Sequence, residues 1–107
     1  MNFGEIFKNM GAMKEQMEIF QKRIQKLSIT GESGAGLIKI TLNGEGTVQN
    51  VKVDESLLDK SSKDMLEELL ISAMNDATKK VKEAVSHEMK NAVGMNIPGL
   101  DRLFGGG

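Results

Sequence analysis

Apolar residues recur at Phe3, Ile6, Met10, Met13, Met17, Phe20, Ile24 and Leu27, at spacings of 3-4-3-4-3-4-3 with mostly polar residues between. This unbroken heptad seam predicts a long helix packed along a partner helix. Gly11 lies inside the run and costs about 1 kcal/mol relative to alanine, so the first turns are expected to fray. The period then changes. In "LIKITL" (37–42), Ile38, Ile40 and Leu42 alternate with Leu37, Lys39 and Thr41, as in a strand with one buried face. Asn43-Gly44 follows as a hairpin signal that supplies positive-φ positions. "TVQNVKVD" (47–54) returns as a strand, with Val51 and Val53 on one face and Val48 and Lys52 on the other. Ser28-Ile29-Thr30 offers a further short strand.

"DESLLDKSSKD" (54–64) reads as a short helical turn followed by a helix start, with Ser61 or Ser62 as N-cap. Asp64, Glu67 and Glu68 place acid in the first turns, where the helix dipole favours it. The second helix is expected from about Lys63 to Ala92. Its apolar positions, Leu66, Leu70, Ala73, Ala77, Val81, Ala84 or Val85, and Met89, follow a 3.6-residue stripe rather than a heptad. No internal repeat is present. The expected fold is α+β in the order α-β-β-β-α, with long N- and C-terminal helices around a small antiparallel sheet. Residues 1–92 form one domain, and 93–107 form a flexible Gly/Pro-rich tail.

Three short strands cannot cover two helices of about 30 Å, so sheet edges and seam would stay exposed. A homodimer resolves this, and its interface is expected to draw on Ile29, Ile38, Ile40, Leu42, Val51, Val53, Leu66 and Leu70.

The glycine-rich "TGESGAGLIKITLNGEG" (30–46) contains G-x-x-x-x-G at Gly31–Gly36. A phosphate loop needs Lys and Ser/Thr after the second glycine and a helix beyond them. Here Leu37-Ile38 and a strand follow, so the glycines read as a tight turn between strands.

The 107 residues hold no cysteine, which removes disulfide and thiolate chemistry. Glu5 and Lys8 interrupt the N-terminus with no long apolar run after them, which fits a cytoplasmic protein. Net charge is −1, yet the cations are segregated. Residues 1–27 and 77–92 each carry +2, while 28–58 carry −2 and 59–76 carry −3. Such segregation sets the local field that a polyanion meets.

"TGESGAGLIKITLNGEGTVQNVKVDESLL", continuing through "LEELLISAMNDATKKVKE", resembles the YbaB/EbfC family of bacterial nucleoid-associated proteins. The likeness covers about residues 10–90 and is most specific from TGESGAG to the Asn-Gly pair. Glu55 is a departure, since relatives often place proline after the aspartate. The resemblance implies a small tweezer-like dimer that binds double-stranded DNA with little sequence preference and influences nucleoid organisation and transcription. The cations placed to meet phosphate are Lys8, Lys14, Lys22, Arg23 and Lys26 on the first helix and Lys79, Lys80, Lys82 and Lys90 on the second. Phosphate neutralisation with counterion release gives affinity without reading bases. Exposed lysines also solvate helices, and Glu18–Lys22 is an i,i+4 pair that needs no DNA.

None of the four phenylalanines falls in a strand, and tyrosine and tryptophan are absent, so the sheet lacks stacking platforms for single-stranded bases. His87, the one histidine, has no cysteine or elbow serine as partner, and metal-ligand spacing is missing. The chain is therefore expected to be no enzyme, without cofactor, metal or small-molecule substrate. A rival reading is a coiled-coil interaction module whose flexible Met10, Met13 and Met17 grip a partner helix. Surface association of the N-terminal helix with a membrane ranks below both, because its charge is mixed.

Overall fold

The computed structural model describes residues 3–93, except for the side chains of residues 6–8 and 93. Helix α1 (Phe3–Lys26) leads into strands β1 (Ile29–Ser33), β2 (Ile38–Leu42) and β3 (Val48–Val53), then helix α2 (Lys63–Val93). The expected α+β order is present, and the strands form one antiparallel sheet in the order β1-β2-β3. The tail expected over 93–107 lies, from residue 94 onward, outside the described residues.

The core forms where α2 crosses the sheet. Ile38, Ile40 and Leu42 of β2 pack with Leu57, Ala73, Ala77 and Val81, and all seven are buried. This corrects the expectation that Ile38, Ile40 and Leu42 form a dimer interface. The alternation holds, but the strand's apolar face is closed by the chain's own second helix. Of the other five residues expected there, Ile29, Val53, Leu66 and Leu70 are half-buried at the core's margin and Val51 is 47% exposed.

Small residues let helix and sheet approach closely. A Cβ on Gly31 would overlap the backbone nitrogen and Cα of Ala77. Gly31 thus serves inside β1, not in a turn as expected. Two hydrogen bonds fasten the same strand to α2, Ser33 Oγ to the Leu69 carbonyl at 2.6 Å and the Glu32 N–H to Asp76 Oδ2 at 2.9 Å. The second of these pairs a backbone N–H that the β1 edge would otherwise leave open. The glycines read as a turn do make one between β1 and β2, a 3-10 turn at Gly34–Gly36 with Gly34, Ala35 and Gly36 all at positive φ.

The β2–β3 connection also departs from the expected Asn-Gly turn. Asn43 Oδ1 accepts from the N–H groups of Glu45 and Thr47, at 2.9 and 3.0 Å, and Gly46 supplies the positive φ. Gly44 has a different task. Its N–H donates to the Ile24 carbonyl at 2.9 Å, and a Cβ there would run into that oxygen. Farther along, Leu42 pairs with Val48 while Thr41 pairs with Asn50, leaving Gln49 as an extra residue on β3. Such a bulge restarts the alternation, so Val48 joins the face of Leu42 instead of the face of Lys52.

The start of α2 corrects a further expectation. Asp59, not Ser61 or Ser62, accepts the capping bonds, from Ser62 N–H at 2.8 Å and Ser61 Oγ–H at 2.6 Å. The cap moves back because Lys60–Ser62 already turn as a 3-10 segment before the helix proper. At the other end of the chain, the buried part of α1 among the described side chains lies near its C-terminus. Ile24 is buried and Phe20 half-buried, whereas Met10, Met13 and Met17 are 59–69% exposed. The heptad seam is real as a helix face, and at Met10, Met13 and Met17 it is uncovered within one chain. The molecule is accordingly long and thin, 70 × 28 × 15 Å.

Candidate nucleic-acid interface

At 100° per residue, Ala73, Ala77 and Val81 share the face of α2 that meets the sheet. Lys79, Lys82 and Lys90 fall on the opposite face. Lys79 and Lys82 are exposed, and Lys90 is half-buried. Lys82 and Lys90 border a shallow groove with Glu83, Ser86 and His87. His87 is exposed on the helix beside these two lysines.

Lys80 differs from its neighbours. Its ammonium lies 2.9 Å from Asp76, one turn earlier, and Asp76 also receives the Glu32 N–H. The hydrogen bond from Lys80 and then that N–H hold the Asp76 carboxyl below the usual carboxylate range, and Asp76 in turn raises Lys80. This three-part clamp ties β1 to α2, and it already neutralises the Lys80 charge. Lys79 and Lys82 have no such partner among the described residues. Sequence spacing could have flagged Asp76–Lys80 as an i,i+4 pair. Only the fold brings Glu32 to it.

On α1, Lys14, Lys22, Arg23 and Lys26 are all exposed. Lys22 and Lys26 lie opposite the apolar seam, with Lys14 and Arg23 on its two flanks. The side chain of Lys8 lies outside the described residues. The two helices meet at a cleft formed by Met17, Phe20, Gln21 and Ile24 with Glu45 and Val85. The structure therefore brings Lys79, Lys82 and Lys90 onto one surface of α2, while the α1 cations spread around their own helix.

One basic pairing is not apparent from the sequence. Lys39 of β2 and Lys52 of β3 are direct cross-strand partners on the face of the sheet away from α2. Alternation places each residue on that face, but only the register puts them opposite each other.

Among the described residues, no group of three or more His, Cys, Asp or Glu is placed to hold a metal. No helix there is long and apolar enough to cross a membrane. A sequence model described as the YbaB/EbfC DNA-binding family matches residues 1–96. Among solved structures, the chain is similar to an uncharacterized protein, HP0035, from Helicobacter pylori. The two share 27% identity with a TM-score of 0.73, over 85% of this chain and 96% of that one.

Proposed function

The chain belongs to the YbaB/EbfC DNA-binding family, a nucleoid-associated group, and we propose that it binds duplex DNA as a homodimer with low sequence preference. The contact is non-enzymatic and acts in the cytoplasm on nucleoid organisation and gene expression. The observation that carries this reading is the cationic face of α2 at Lys79, Lys82 and Lys90, joined by the exposed cations of α1. Ammonium and guanidinium groups on helix faces neutralise phosphates and release counterions without reading base edges. With no aromatic residue in a strand, a single-strand stacking mode has no support.

The dimer is supported by apolar surface that one chain leaves bare. It lies on the α1 seam, on β3 at Val48 and Val51, and around the start of α2 at Leu58 and Met65, each of these four 47–66% exposed. Leu66 lines a shallow groove with Leu58 near the start of α2. Burying such side chains stabilises by about 25 cal/mol per Å² of apolar area removed from water.

Fluorescence anisotropy with unrelated duplexes at two salt concentrations tests the reading. Binding that weakens with salt at a log–log slope of roughly −0.9 per phosphate neutralised is expected. A variant with Lys22, Arg23 and Lys26 neutralised should bind more weakly, and unchanged binding would remove α1 from the interface. The rival reading, a protein-interaction module, is favoured by the exposure of Met10, Met13 and Met17 along one stripe. Wild-type protein that binds no duplex at low salt decides for that rival.

A further inference from the structure

The outer face of the sheet carries a like-charge pair that one chain offsets only in part. Lys39 and Lys52 stand directly opposite each other on adjacent strands, both exposed. Paired positions place Cβ atoms about 5 Å apart, and like charges there destabilise a sheet. Lys63–Glu67 and Lys80–Asp76 form ion pairs, and neither Lys39 nor Lys52 shares one among the described residues. Glu32, the cross-strand partner of Lys39 on β1, leaves the row with a net positive charge. The next row on this face is Thr30, Thr41 and Asn50, with the two threonine hydroxyls hydrogen-bonded at 2.9 Å. These rows present ammonium, hydroxyl and amide donors without a deep cavity or an aromatic ring.

We propose that this face is a second phosphate-contacting surface, which takes the phosphodiester backbone of a further duplex segment while the helical cations hold the first. An anion between Lys39 and Lys52 converts their repulsion into two attractions. A flat, donor-rich surface suits a polyanion backbone better than an enclosed small ligand, and it has no ring on which to stack bases. The segment must be a different one, because α2 and the Lys39–Lys52 pair lie on opposite sides of the sheet. With a persistence length of about 150 base pairs, duplex DNA does not fold around so thin a body. The inference rests on the proposed duplex binding and adds to it the capacity to join two segments.

The test immobilises one biotinylated duplex on beads and measures capture of a second, fluorescent duplex, alongside single-duplex anisotropy. Wild-type protein is expected to capture the second duplex. The Lys39→Gln/Lys52→Gln variant should keep single-duplex affinity within about threefold yet capture at least about fivefold less. Its melting temperature should not fall, because a repulsion has been removed. Lys52→Glu, which creates an opposite-charge cross-strand pair with Lys39, provides an independently folded second variant and should also lose capture. Capture equal to wild type in either folded variant overturns the inference, as does wild type that binds one duplex and captures no second. In both cases the proposed function stands. Wild type that binds no duplex overturns both.

Discussion

The Gly44 N–H donates to the Ile24 carbonyl at 2.9 Å, and no side chain larger than hydrogen fits between them. The hydrogen bond joins the end of α1 to the β2–β3 connection. Gly44→Ala should push these two backbones apart while leaving the packing of Ile38, Ile40 and Leu42 on α2 intact. The expected cost is about 1–3 kcal/mol, concentrated at the helix attachment. Hydrogen exchange is the direct measurement, with faster exchange over residues 20–27 and little change in β2.

Gly31 and Gly11 form a contrasting pair. Gly31→Ala sets a methyl group against the Ala77 backbone and should destabilise by about 2 kcal/mol or more. Gly11→Ala meets nothing within 4 Å and should stabilise α1 by up to about 1 kcal/mol. Urea denaturation of both variants would contradict the close approach of β1 to α2 if Gly31→Ala unfolded at the wild-type midpoint.

Leu42 and Val51 separate core from surface on neighbouring strands. Leu42→Ala opens a cavity beside Val81 and Ala77 and should cost about 2–5 kcal/mol. Val51→Lys should cost the single chain little, because Val51 is already half exposed. If the exposed apolar side chains of β3 belong to the dimer interface, Val51→Lys shifts sedimentation from dimer to monomer. A variant that remains dimeric would place the interface elsewhere.

Acid should loosen the fold at three identified carboxylates. Hydrogen bonds from Ser56 depress Asp54, those from Ser61 and Ser62 depress Asp59, and Lys80 with the Glu32 N–H depresses Asp76. Each binds protons less readily when folded. The stability it contributes is therefore present above the unfolded value of about 3.9 and is lost as pH falls through the lowered folded value. The gap in urea midpoint between wild type and Asp76→Asn should be open at neutral pH and close as pH falls through the lowered folded value. A gap of constant size across that range would exclude ionisation as its source.

Salt dependence reports how many phosphates each group of cations neutralises. Replacing Lys79, Lys82 and Lys90 with glutamine should reduce the magnitude of the log–log salt slope by about 0.9 for each phosphate left without its cation. Replacing Lys80 should change the slope less, since its charge is already engaged by Asp76.

Much of this fold is legible in the sequence because periodicity survives folding. The heptad run becomes a helix, "LIKITL" becomes β2, and the stripe containing Ala73, Ala77 and Val81 meets the sheet. What fails requires knowledge of which surfaces meet. The alternation in β2 marks Ile38, Ile40 and Leu42 as apolar, but not whether α2 or another chain covers them. Glycines 31 and 44 look like turn residues in sequence, and their purpose is set by Ala77 and Ile24, which are distant along the chain. The bulge at Gln49 has no compositional mark and reverses the expected face of Val48. For the candidate site, residue type identifies the cations, whereas their grouping depends on helix phase and strand register. That is why the Lys39–Lys52 pair is invisible until the strands are paired.

A rod anchored at one end behaves as a lever. From Ile24 to Phe3, α1 spans about 30 Å, so a tilt of about 10° at the Gly44 joint carries the tip through roughly 5 Å. A modest angular adjustment near the sheet would thus let one sequence accommodate objects of differing breadth without repacking its core.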